Sequence, residues 1–131
     1  MDQVERRFDA NTQLALSEIS DVPVELIKIK ERSVTALTKK IHAGVEFDLV
    51  YIDGSHNSRD VLFDLVMSFQ LSKIGGLIIC DDYLWDYGYR VTNDINSCPK
   101  PAIDAFCSIF NSSVRILRGF PIYQLYLEKY N

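Results

Sequence analysis

Two segments constrain this chain more than any others: FDLVYIDGSH, Phe47–His56, and GGLIICDDY, Gly75–Tyr83. Each is an apolar run of strand length that ends abruptly in aspartate. Between them Val61, Leu62, Leu65, Val66 and Phe69 recur at helical spacing, and Asn57 or Ser58 is placed to cap that helix. Fully apolar strands joined through a helix belong to parallel pairs buried on both faces, because a half-exposed strand alternates polar with apolar positions. In sheets of this kind ligands bind beyond the carboxyl ends of the strands. Both groups of aspartates fall at that edge.

The flanking segments extend the pattern. Asp2–Ile19 reads as a helix through Val4, Phe8, Leu14, Ala15 and Ile19, broken by Asp21 and Pro23. Val24–Ile29, VELIKI, alternates and predicts a strand near a sheet edge. Ser33 is placed to cap a short helix running to about His42, with Val34, Leu37 and Ile41 on one face. Leu49–Ile52 and Leu77–Cys80 are the central strands, the second after Gly75-Gly76. Asp86–Pro101 gathers turn residues and predicts a loop, and Pro101 suits the first turn of a helix over Ala102–Phe110. Val114–Leu117 and Ile122–Leu127 predict two last strands, made antiparallel by the short Gly119-Phe120-Pro121 link. The order α-β-α-β-α-β-α-β-β specifies an α/β fold in one domain spanning 1–131, a mainly parallel sheet with helices on both faces.

Composition fits a single globular domain: 131 residues, 47% hydrophobic and 24% charged. A net charge of −4 without a large basic cluster argues against a nucleic-acid footprint. Cys80, Cys98 and Cys107 are odd in number and lack CxxC spacing, which argues against a zinc site or a disulfide framework. No apolar run approaches the roughly 18 residues of a membrane span, and MDQVERRFD is unlike a signal peptide. A soluble, cytoplasmic protein with no membrane or nucleic-acid partner is expected.

Asp53, Asp81 and Asp82 therefore stand at the tips of neighbouring strands. Carboxylates so placed repel one another unless a cation, a basic group or protonation relieves them, and their hard oxygens suit Mg²⁺. The competing reading is that one of them caps the following turn while the others face water. His56, three residues after Asp53, is either a general base or a solvated loop histidine. The aromatics of YLWDYGY, Tyr83–Tyr89, either wall a substrate pocket or pack over the sheet end.

FDLVYIDGSH, the helix DVLFDLVMSFQLSKIGG and LIICDDY together resemble the carboxyl-terminal half of class I S-adenosylmethionine-dependent methyltransferases, in the small O-methyltransferase-like branch with DGSH and DDY motifs. The resemblance implies a three-layer Rossmann-like fold and methyl transfer to a small-molecule oxygen. It places the divalent ion on Asp53, Asp81 and Asp82, catalysis on His56 and Asp53, and cofactor contacts on Arg32, Ser33 and Asp53. The family's glycine-rich turn and the acid that binds the ribose have no counterpart here, so the resemblance implies a fold truncated at its amino terminus. Two other functions compete: a non-catalytic binding or dimerisation module, and a divalent-metal-dependent hydrolase using the same acidic edge. Closing the sheet without the missing strands predicts Val24–Ile29 parallel to Leu49–Ile52, with a right-handed crossover through the Ser33–His42 helix and a homodimer over the exposed surfaces.

Without that turn and acid, S-adenosylmethionine is expected to bind weakly or not at all, since each missing hydrogen bond is worth about 1–3 kcal/mol. A titration calorimetry experiment that gives a clear low-micromolar isotherm contradicts this expectation.

Overall fold

The computed structural model describes residues 3–19, 22–119 and 121–131. The start of the first helix at Asp2, the break at Asp21 and the Phe120 position of the final link lie outside them. The chain divides into two compact units, Met1–Lys30 and Glu31–Asn131.

In the first unit, α1 spans Gln3–Glu18. Lys28 reaches Glu5 at 3.1 Å and Asp9 at 2.6 Å, and Lys30 reaches Glu5 at 2.9 Å. These ion pairs tie the segment after α1 back to it, and at this exposure each adds little to stability. Val24–Ile29, expected as a strand parallel to Leu49–Ile52, forms no strand, and the sheet among the described residues does not include it. The alternation of VELIKI is real, but a strand is stable only as part of a ladder, and no described residue pairs with this one.

The second unit contains α2 (Ser33–His42), β1 (Phe47–Ile52), α3 (Ser58–Leu71), β2 (Ser72–Cys80), α4 (Tyr87–Thr92), a 3₁₀ turn (Ile95–Ser97), α5 (Lys100–Ile109), β3 (Val114–Ile116) and β4 (Leu125–Lys129). The four strands are ordered β1-β2-β4-β3. β1 and β2 run parallel, whereas β4 is antiparallel to both β2 and β3. The segment expected as a loop after Asp86 winds into α4 and the 3₁₀ turn.

Local chemistry explains most boundaries. The Asn57 side chain accepts from the Arg59 amide and starts α3. Ser33, expected as a cap, is instead the first residue of α2, whose N-cap Arg32 makes no side-chain bond. Ser33 instead lines a cleft together with Asp64 of α3. β2 begins earlier than expected, and Gly75 and Gly76 lie inside it, where the pairing with β1 shifts register between Phe47 and Leu49. Gly75 has φ +81°, and a Cβ on Gly76 would lie 2.8 Å from the Lys73 carbonyl oxygen and 3.2 Å from that of Phe47. Only glycine fits that bulge.

α3 packs against α2 and α5. Val61, Leu65 and Phe69 of α3 and Ala102, Ile103 and Phe106 of α5 close over Ile52, Ile78, Cys80, Val114 and Leu127 of the sheet. Leu65, Ile78, Ile103, Phe106 and Leu127 are wholly buried, each burial contributing about 1.5–3 kcal/mol. Phe106 and Phe110 stack at 4.4 Å, and Phe69 tilts against Phe110 at 4.8 Å. This core holds the carboxyl ends of β1 and β2 side by side, with Ile52 opposite Cys80.

Two substitutions test the packing by urea denaturation. Leu65→Ala is expected to cost about 2–5 kcal/mol by opening a cavity, and Gly76→Ala about 1–3 kcal/mol by forcing the bulge apart. An unchanged midpoint for Gly76→Ala contradicts the close approach.

Candidate functional site

The β1–β2 register carries the two acidic ends to one edge. The Asp81 amide donates to the Ile52 carbonyl at 3.0 Å, so the turn after β2 is tied to the end of β1. Asp53, Gly54, Ser55 and His56 leave β1 and face Asp81 and Asp82 across a pocket of about 10 Å³, room for about one water. Asp82 is held in the left-handed region, φ 54°, a conformation aspartate tolerates better than most residues. That turn aims its carboxylate at His56, whose Nε2 lies 2.8 Å from Asp82 Oδ2. Trp85 stacks on the imidazole, with ring centroids 4.0 Å apart and planes at 17°.

Asp81 is relieved differently. The Tyr51 hydroxyl donates to its Oδ2. Gln124 Nε2 donates to Asp81 Oδ1 at 3.2 Å and to the Tyr51 oxygen at 2.9 Å. Tyr126 donates in turn to Gln124 Oε1 at 2.8 Å, which fixes the amide. The Tyr51 bond holds the Asp81 carboxyl below the usual carboxylate range, and the same bond pushes the Tyr51 phenol up to about 12.

Protein donors thus take the place expected of a cation. Among the described residues no group of three or more His, Cys, Asp or Glu side chains is placed to hold a metal ion. Asp53, Asp81 and Asp82, on which a divalent ion was expected, line one pocket. Asp81 is turned to Tyr51 and Gln124, and Asp82 to His56. An ion would have to displace these partners.

Arg32 and Ser33 lie in a second place, an open cleft of about 570 Å³ that also includes Gly54, Arg59, Phe63 and Asp64. That volume falls within the roughly 300–1,000 Å³ of small-molecule sites. A third hollow of about 300 Å³ is lined by Ser33, Asp53, Gly54 and Asp64, so Asp53 and Gly54 stand between the cleft and the acidic edge. His42, given no role from the sequence, sits on the α2 carbonyl of Thr38 at 2.8 Å.

Three of the residues that shape this edge escaped sequence reasoning. Tyr51 reads as one more apolar strand residue. Gln124 lies 43 residues from Asp81 with no motif to connect them. Asp64 had a signal: it is a lone carboxylate inside the buried stripe of α3.

The family described as "Methyltransferase domain" matches residues 2–83, which include both β1 with its DGSH turn and the β2 aspartates. The chain belongs to the methyltransferase-domain family. Solved methyltransferases share its fold. The MycE methyltransferase of the mycinamycin biosynthetic pathway, in complex with Mg, SAH and mycinamycin VI, has a TM-score of 0.59 at 17% identity, covering 88% of this chain and 34% of its own. The O-methyltransferase TomG from Streptomyces achromogenes, in complex with SAM, gives 0.54 at 13% identity, covering 76% and 48%. An O-methyltransferase from Bacillus cereus, in complex with SAH, gives 0.50 at 15% identity, covering 74% and 47%. The chain spans less than half the length of each. No curated protein sequence matches it. No helix among the described residues is long and apolar enough to cross a membrane.

The Tyr51–Asp81 bond predicts a pH response with a definite sign. Asp81 titrates below its ordinary 3.8, so its contribution to stability is present above that value and lost as pH falls through the depressed one. Tyr51 titrates above its ordinary 10.0, so its contribution is whole below pH 10 and lost as pH rises towards about 12. Carboxyl ¹³C titration of Tyr51→Phe is expected to show Asp81 moved back up towards its ordinary range. An unmoved Asp81 contradicts the bond.

Proposed function

We propose that this methyltransferase-family chain forms the adenine-binding cleft and the acceptor-activating edge of a site for S-adenosylmethionine-dependent O-methyl transfer to a small molecule. The observation that carries the reading is the His56–Asp82 pair, stacked on Trp85 and separated from the Arg32–Ser33 cleft only by the Asp53–Gly54 turn. The donor set fits the adenosine half of the cofactor: a half-open cleft with a serine hydroxyl, an aromatic side chain and guanidinium groups able to lie against a purine. When bound, the cofactor supplies an electrophilic methyl group on a sulfonium.

The chain's own residues do the remaining work. The Asp82 carboxylate can only accept, so it selects the imidazole tautomer that carries its proton on Nε2. Nδ1 then holds the lone pair and takes the proton from an acceptor hydroxyl as that oxygen attacks. The developing imidazolium is stabilised by Asp82, and Trp85 keeps the ring from turning. Arg32 and Ser33 hold the adenine end, and Asp53 borders both the cleft and the reacting edge. No step is assigned to a divalent ion, because the carboxylates as placed are already engaged.

Methyl-labelled S-adenosylmethionine at about millimolar concentration, enough to occupy the weak site expected from the sequence, offered with a panel of small hydroxylated molecules tests the reading. His56→Ala is expected to reduce transfer by about 10²–10⁴-fold while S-adenosylhomocysteine affinity stays unchanged. Full transfer by His56→Ala removes the base. Binding of S-adenosylhomocysteine with no transfer to any acceptor would favour a non-catalytic binding module instead.

A further inference from the structure

The strand order β1-β2-β4-β3 ends at β3, on the side of the sheet away from β1. Beside β3 a hollow of about 480 Å³ is lined by Cys107 of α5, by Asn111 in the turn after it, and by Val114, Arg115, Ile116 and Arg118. None of these residues enters the chemistry proposed above.

The backbone of β3 is only half used. Leu117 donates its amide to the Tyr126 carbonyl at 2.9 Å, and Tyr130 donates to the Ser113 carbonyl at 3.0 Å. Hydrogen-bonded pairs alternate along an antiparallel ladder, so Ser113, Arg115 and Leu117 turn their polar groups to β4. Val114 and Ile116 turn theirs outward. The Val114 amide is taken by the Phe110 carbonyl at 2.9 Å. The Val114 carbonyl and both backbone groups of Ile116 are left facing outward, and among the described residues no strand pairs with that side. Such an edge is a template for another strand.

The side chains decide what kind of strand fits. Arg115 is held by Glu128, with Nη2 2.6 Å from Oε2. Arg118 is exposed, and among the described residues no carboxylate is paired with it. The Ile116 side chain, 46% exposed, lies on the same face of β3 as the buried Val114 and offers an apolar seat. Burial pushes the Cys107 thiol up to about 11, so that wall of the hollow is uncharged. A second copy of this edge would set like charges along the new pair, which is unfavourable. An acidic strand meets the opposite charge.

We propose that the β3 edge is a docking site for an extended acidic segment of a partner protein, which adds as a strand beside Ile116 and sets a carboxylate on Arg118. Backbone bonds to Ile116 fix the register, the seat on Ile116 takes an apolar side chain, and Arg118 selects for acid. Nothing in this docking depends on the cofactor reading.

Calorimetry and amide chemical-shift mapping of the full chain with short synthetic peptides test this. The probes are acetyl-Thr-Glu-Val-Glu-Thr-amide, its counterpart with lysine in place of glutamate, a version of the acidic peptide N-methylated at its three central residues, and acetylglutamate amide alone. The acidic peptide is expected to perturb the amides of Val114–Arg118 and to bind at least about tenfold more tightly than the lysine peptide. N-methylation is expected to weaken it at least about tenfold, because the charges remain while the strand bonds are lost. Arg118→Glu is expected to reverse the preference, a change that mere loosening of an exposed edge does not produce. Equal affinity for the acidic and lysine peptides overturns the proposal, as does failure of the acidic peptide to bind at millimolar concentration. An N-methylated peptide or acetylglutamate amide that binds as tightly as the acidic peptide reduces the hollow to a small-anion site and overturns strand addition.

Discussion

The parallel pairing of β1 with β2 is the interaction on which the rest depends. It sets Ile52 opposite Cys80, and the residues that follow each of them are acidic. Asp53, Asp81 and Asp82 are brought to one edge by a register that the core beneath enforces, since a one-residue slip would turn Ile52, Ile78 and Cys80 away from α3 and α5. The fold thus concentrates negative charge before any ligand is considered. How that charge is relieved decides what the edge can do.

The relief comes from three different side chains. Tyr51 reaches Asp81 from β1, Gln124 reaches it from just before β4, and His56 takes Asp82 from the turn after β1. None of these is a strong base, so the edge remains acidic. The His56–Asp82 pair also gains direction from the left-handed turn at Asp82 and from the Trp85 ring. Charge relief and preorganisation are here the same set of contacts.

The legible part of this arrangement was what short-range pattern encodes. The apolar runs gave β1 and β2, the stripe from Val61 to Phe69 gave α3, and the DGSH and DDY motifs gave the edge and the family. Val24–Ile29 misled because alternation describes what a segment could bury and not whether an edge exists to pair with it. Spacing also reveals carboxylates, while Tyr51 and Gln124, which bond to Asp81, announce themselves only once the sheet is formed. Ser33 was expected as a cap but begins α2, and it lines a cleft with Asp64, 31 residues away on another helix.

The central claim is that the cleft beside Ser33 and the turn from Asp53 to His56 act as one ligand site. Amide chemical-shift mapping of the ¹⁵N-labelled chain with S-adenosylhomocysteine tests it most directly. The account predicts perturbations concentrated at Arg32–Val34, Gly54–His56 and the first turn of α3. Perturbations confined to β3 and the end of α5, or none at concentrations into the millimolar range, would contradict it.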